Sequence, residues 1–289
     1  VSKRHKTIDS IRRRLSEAEN HVVDEFAAGH IDRRCFLRHG AVLGMSLPVL
    51  SALAGALGAD ALTAPAARAA SKPGGTVRVA MTMPTGAIDP VTIDDQSLVL
   101  PQQTGEFLAF SSPQLMLKPV LAESWSPNKD GSVWSFKIRK GVRFHNGKSL
   151  SADDIVATFD RLSDPNGQSN ALSVFGGVLT KGGTKKVDGH TVEFHLAAPN
   201  GNFPYLVSSD NYNAVILPAD YAGDYEKSFI GTGPFKLDKY TPKVGASFLR
   251  NPDYWGTAAL PDRTEFSFYT DLQAEILALQ GHQVDIVNP

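Results

Sequence analysis

Along residues 121–162 the spacing of hydrophobic and polar positions changes period once. Trp134, Phe136 and Ile138 alternate with Val133, Ser135 and Lys137, a period of two that predicts a strand half buried against a core. Asp130-Gly131 before this run and Asn146-Gly147 after it carry turn chemistry. Ser151 and Asp154 then stand three apart as a capping box, and Ile155, Phe159 and Leu162 follow at helical spacing. Turn, strand, turn and capped helix succeed one another without conflict, so this stretch is expected to be well ordered.

The flanking pattern is shorter in range. Thr76 to Ala80 predicts a strand with Val77 and Val79 facing one way, and 81–103 is polar and broken by Pro84, Gly86 and Pro90, hence loop. Phe107, Leu108, Phe110, Leu115 and Met116 offer packing surface. A Gly/Ser/Asn-rich stretch, 166–185, predicts a surface loop with a short helix near Ala171 to Val174. Val192, Phe194 and Leu196 alternate as a strand, and Asn213 to Leu217 reads as another, stopped by Pro218. Phe235 and Leu237 open a hairpin that Gly245 closes, with Phe248 and Leu249 in its second arm, and 251–255 reads as a turn whose rings pack back on the sheet. Phe266 to Tyr269 predicts a strand, Asp271 caps a helix from Leu272 to Gln280, Gly281 ends it, and a strand begins at Val284.

The first seventy residues differ in character. Ser10 to Phe26 reads as a helix. Arg33-Arg34-Cys35-Phe36-Leu37-Arg38 precedes an uncharged Ala/Gly/Leu-rich segment, 40–59, and Ala67-Arg68-Ala69 follows. This pattern resembles a twin-arginine export signal. It implies recognition through Arg33, Arg34, Phe36 and Leu37, cleavage at Ala67 and Ala69, and the twin-arginine translocase as a partner. The apolar segment also approaches membrane-spanning length, but Gly44, Pro48, Gly55 and Gly58 argue against a retained anchor. Charge agrees with export: 1–70 holds ten Lys/Arg and seven Asp/Glu, and the remainder 19 and 23. That mildly acidic remainder is unlike a nucleic-acid binder, so no nucleic-acid partner is expected. Cys35, the one cysteine, lies ahead of the apolar segment, so a cleaved product has neither disulfides nor thiol chemistry.

No enzymatic constellation emerges, and neither a cofactor nor a metal is expected. His145, His190, His195 and His282 are scattered without ligand spacing and read as surface or turn residues. Asp153-Asp154 resembles an acid pair, yet helix capping accounts for Asp154. Gly231-Thr232-Gly233-Pro234 lacks the Lys-Ser/Thr ending of a phosphate loop and reads as a backbone turn.

Several ordered segments resemble the extracytoplasmic solute-binding proteins of ABC importers, in the family-5 class that binds peptides and nickel. They are Leu121 to Trp125, Phe136 to Gly147, Ser151 to Ile155, Gly231 to Phe235, Arg250 to Gly256 and Leu279 to Ile286. The resemblance implies an α/β fold of the periplasmic-binding-protein-like, two-lobed, cluster C type, here most of lobe one and the start of lobe two. It implies an N-terminal extension over 1–30, a signal over 31–70, lobe one over 71–110 and 201–265, a smaller insert over 111–200, and the hinge with the start of lobe two over 266–289. In the family a helix usually follows Gly105, and Pro113 is expected to break it early. Function by resemblance is non-catalytic capture of short peptides or related solutes in the periplasm by lobe closure, with delivery to ABC permease subunits. Met83, Asp89, Asp94, Phe107, Tyr205 and Tyr212 are implied as ligand contacts. A transport-inactive, partner-binding protein on the same fold is the alternative, and a secreted hydrolase a remote one.

Overall fold

The computed structural model describes residues 11–31, 33–43, 45, 46, 49, 50, 52, 53 and 73–288. The chain divides into two compact units, Val1–Ser71 and Lys72–Pro289.

In the first unit the expected helix over 10–26 is divided. Ser16 donates its N–H and hydroxyl to Glu19, each at 2.7 Å, and so starts a new helix, α1 (Glu17–Ala27). Helix α2 (Arg33–Val42) follows. Val22, Val23, Phe36, Met45, Leu50 and Leu53 are buried together as this unit's own core. Among the described residues no helix is long and apolar enough to cross a membrane.

The second unit is built on two main sheets. The larger has the order β11-β1-β10-β9-β8: β1 (Thr76–Thr82), β8 (Phe235–Thr241), β9 (Gly245–Arg250), β10 (Arg263–Tyr269) and β11 (Ile286–Asn288). β1 pairs in parallel with β10 and β11, whereas β10, β9 and β8 run antiparallel. β1 is an interior strand, paired on both sides and with both faces covered. Val79 and Met81 enter the main core, while Ala80 packs against Ala278 and Val284 beneath helix α4 (Leu272–Gln280). Asp271 caps α4 by accepting from the Ala274 N–H at 2.9 Å.

The second sheet, β4-β5-β7-β6, comprises β4 (Ala122–Pro127), β5 (Val133–Ile138), β6 (Thr184–Asp188) and β7 (Thr191–His195). As the alternation requires, Trp134, Phe136, Ile138, Val192 and Phe194 point inward. Phe136, Phe159, Phe175, Phe194 and Phe203 meet edge-on or tilted with centroids 5.0–6.4 Å apart. Helix α3 (Ala152–Leu162) contributes Phe159 from its apolar face. The Asp154 carboxylate accepts from the N–H and hydroxyl of Ser151 at 2.8 and 2.9 Å, and its other oxygen accepts from the Ala219 N–H at 2.8 Å. Asp154→Ala removes the cap and strands a half-buried donor, an expected loss of about 2–3 kcal/mol in a urea denaturation series.

Four expectations are corrected. The polar stretch 81–103 carries a short 3-10 helix (Gln96–Val99) and one helical turn (Pro101–Thr104), since Asp95 caps the first and Pro101 suits a helix start. After Gly105 there is no helix: β2 (Ala109–Ser111) and β3 (Leu117–Pro119) form a hairpin whose turn holds Pro113. Phe110, Leu115 and Met116 are exposed there instead of packing. Asn213 to Leu217 is fully buried but pairs with no strand, because its backbone is bonded piecemeal. Ile216 N–H donates to the Glu106 carbonyl at 2.9 Å and Leu217 N–H to the Thr158 hydroxyl at 3.1 Å. His145 sits in a turn, as expected, and is half-buried there: its Nε2 lies 3.0 Å from the Gly233 carbonyl, and burial holds its pKa below the usual histidine value.

Candidate functional site

In sheets with parallel strands, ligands collect beyond the carboxyl ends. β1 ends at Thr82, whose hydroxyl donates to the wholly buried Glu275 at 2.7 Å, and the Met83 N–H donates to the Tyr269 carbonyl at 2.9 Å. The chain then leaves the sheet through Pro84. Asp95 folds the following loop back: its carboxylate accepts from the Ser97 N–H at 2.9 Å and from the Thr85 hydroxyl at 3.2 Å. Burial pushes the Asp95 carboxyl up, but the bonds from Ser97 and Thr85 outweigh it and hold the group below its ordinary range.

A cavity of about 560 Å3 lies against this loop, lined by Thr82, Met83, Asp94, Asp95, Gln96 and Tyr212 among others. Asp94 and Tyr212 are far apart in sequence, and Asn213 joins them. Its buried amide donates to the carbonyls of Pro90 and Ile93 at 2.8 and 2.9 Å, tying the 208–213 loop to the 89–95 loop. A second cavity, about 540 Å3, is lined by Gly105, Glu106, Phe107, Phe110, Ser111 and Asp210 among others.

Glu106 sits at the wall of that second cavity and is almost completely buried. Its carboxylate accepts from the Thr232 hydroxyl at 2.7 Å, the Tyr254 hydroxyl at 2.7 Å and Trp255 Nε1 at 2.8 Å. The Arg139 guanidinium lies 4.6 Å over the Trp255 ring. Burial pushes the Glu106 carboxyl above the usual range, despite those three donors and Arg139. Burial and the Glu106 carboxylate together push the Tyr254 hydroxyl up as well.

The six sequence-derived ligand positions therefore divide. Met83, Asp94 and Tyr212 share the first cavity, while Phe107 lies in the second. Asp89 accepts from the Val91 N–H at 2.8 Å and from the Tyr221 hydroxyl, holding a turn. Tyr205 donates its hydroxyl to the Leu115 carbonyl at 2.7 Å, bracing the β2–β3 hairpin. Of the export positions, Phe36 is buried and Leu37 half-buried, and Arg33 and Arg34 begin α2. Ala67 and Ala69 lie outside the described residues. Sequence reasoning missed Glu106, Asn213 and Glu275, three polar side chains that the fold buries. Nothing local marks them. Among the described residues, no three His, Cys, Asp or Glu side chains converge as metal ligands.

The family model for the bacterial extracellular solute-binding proteins, family 5 (middle), matches residues 116–289. The chain belongs to this family. A periplasmic location goes with that membership. The dipeptide-binding protein of Escherichia coli (strain K12) is 33% identical over 196 residues, covering 58% of this chain and 36% of that protein. Di/tripeptide-binding protein 2 of Pseudomonas aeruginosa (strain UCBPP-PA14) is 29% identical over 203 residues, covering 62% and 37%. The solved oligopeptide-binding protein AppA of Bacillus subtilis, in complex with a nonapeptide, superposes with a TM-score of 0.64 at 27% identity, covering 74% of this chain and 44% of that one. The fold is thus mixed α/β, of the two-lobed periplasmic-binding-protein class, and the chain matches part of it. It spans about a third of the length of these curated relatives.

Proposed function

We propose that this chain provides one wall of the solute cleft in the binding component of an ABC importer. That component captures short peptides without catalysis, closes over them and hands them to the membrane permease. The observation that carries this reading is the cavity at the carboxyl end of β1, where Met83, Asp94 and Tyr212 face one space. Its chemistry suits a peptide: Tyr212 and Met83 offer adaptable apolar surface, Asp94 a carboxylate, and Gln96 an amide. The two curated relatives named above are a dipeptide-binding and a di/tripeptide-binding protein, which favours short peptides over other solutes. Lobe one is assigned to 71–110 and 201–265, with 111–200 as the insert carrying the four-stranded sheet and 266–289 as the hinge. Export is assigned to the twin-arginine translocase through Arg33, Arg34, Phe36 and Leu37, with cleavage at Ala67 and Ala69.

The test is calorimetric titration of the protein, purified from its own cell envelope, with a di- and tripeptide set. Micromolar or tighter binding is expected, and Tyr212→Ala is expected to weaken it roughly tenfold, about 1.4 kcal/mol. Failure of every peptide to bind, or a Tyr212→Ala variant with wild-type affinity, refutes the assignment.

A further inference from the structure

The first unit does more with the twin-arginine segment than present it. Arg12 Nε donates to Asn20 Oδ1 at 3.2 Å and its guanidinium pairs with Asp24. Asn20 in turn donates to the carbonyls of Arg12 and Leu15 at 3.0 and 3.2 Å, so residues 11–15 are tied to α1. α1 turns Val22 and Val23 inward and lays Phe26 flat on Phe36 of α2, ring centroids 4.4 Å apart and planes 18° from parallel. Phe36 is completely buried, and Leu37 packs against the same cluster. On the other side Gly40 lets α2 approach its neighbours closely. A Cβ there would lie 2.3 Å from Leu50 Cδ2 and 2.8 Å from Met45 Cε.

Phe36 and Leu37 of the export segment are therefore occupied within the unit. We propose that residues 11–31 mask the export signal in the precursor, and that this helical hairpin must open before a receptor can read the segment. The proposal rests on the reading of Arg33-Arg34 as an export signal. Its physical basis is a competition: a receptor that needs Phe36 and Leu37 binds only the open fraction, so its apparent affinity falls by that fraction. The hairpin thereby delays export of a precursor until its body has had time to fold.

Pulse-chase export of the full-length precursor tests this, with Val23→Asp and a deletion of residues 11–31 as opening variants. Neither alters 33–37 or the apolar stretch beyond. All three tryptophans, Trp125, Trp134 and Trp255, lie in the second unit and report whether the body stays folded. Export at least about threefold faster in both variants, with faster hydrogen exchange of the 35–42 amides in Val23→Asp, is expected. Replacing Arg33 and Arg34 together by lysine should stop export in every background. Unchanged export in the deletion variant, with the lysine replacement still blocking, overturns masking and leaves the signal standing. Export indifferent to the lysine replacement overturns the signal reading and the masking with it.

Discussion

Glu106→Ala is expected to destabilise the second unit by about 3–5 kcal/mol, because it leaves three buried or half-buried donors without an acceptor and opens a void. The donors are the Thr232 hydroxyl, the Tyr254 hydroxyl and the Trp255 indole N–H. They come from two turns, 231–234 and 251–256, which Glu106 fastens to the end of the helical turn at Thr104. The loss should appear as a lower urea midpoint with an unchanged slope. Glu106→Gln keeps an acceptor and the volume, so its loss should be roughly half as large. Wild type also separates from both variants on pH, because neither alanine nor glutamine titrates. Burial raises the folded carboxyl above its unfolded value, so the folded state holds the proton more firmly. That contribution is fully present below the unfolded pKa and fades as pH rises through the folded one. Glu106→Gln should remove this fall between acid and neutral pH. A wild-type pH profile in Glu106→Gln, or a loss under 1 kcal/mol in Glu106→Ala, would contradict the network, the threshold being about that of one ordinary hydrogen bond.

Gly231→Ala is expected to cost about 3 kcal/mol or more, although its backbone needs no unusual conformation. A Cβ at Gly231 would lie 2.0 Å from the Thr104 carbonyl oxygen, and one at Gly233 would lie 2.7 Å from the same atom. The Gly233 N–H donates to that carbonyl at 2.8 Å, so the turn cannot retreat without breaking a buried bond. Because the obstacle is backbone, no rotamer change relieves it. Gly189, with nothing within 4 Å of a Cβ, is the control: Gly189→Ala should stay within about 0.5 kcal/mol. Equal melting temperatures for the two variants would show that the close approach is not a constraint. The same geometry explains why this glycine-rich piece is a packing turn rather than an anion cradle: its open side is filled by Thr104.

How much was legible follows the range of the forces involved. The β5 alternation, the Ser151–Asp154 cap, the inward face of α3 and the Asp271 cap of α4 were all readable, because each depends on residues within one or two turns of each other. The ordered family-like segments were readable too, and with them the fold class. The hairpin at 109–119 was misread because hydrophobic residues were counted as packing, and a count does not say on which side of a two-stranded ribbon they fall. Asn213 to Leu217 was misread as a strand for a related reason. Apolar character established burial, but a ladder partner has to come from elsewhere in the chain, and among the described residues none does.

The candidate site divides in the same way. Met83, Asp94 and Tyr212 were named from sequence, yet their meeting depends on the Asn213 amide bridging two loops, each bond spanning about 120 residues. Glu106 stands between Gly105 and Phe107, where the sequence alone suggests a helix and nothing in the local pattern marks a buried carboxylate. What the sequence by itself determined is local: where helices start, which face of a strand is apolar, and which family the ordered motifs resemble. What only the tertiary structure decided is which polar groups are buried and by whom they are satisfied. Desolvation is a property of the assembled surroundings, and it acts between groups that the chain brings together from opposite ends.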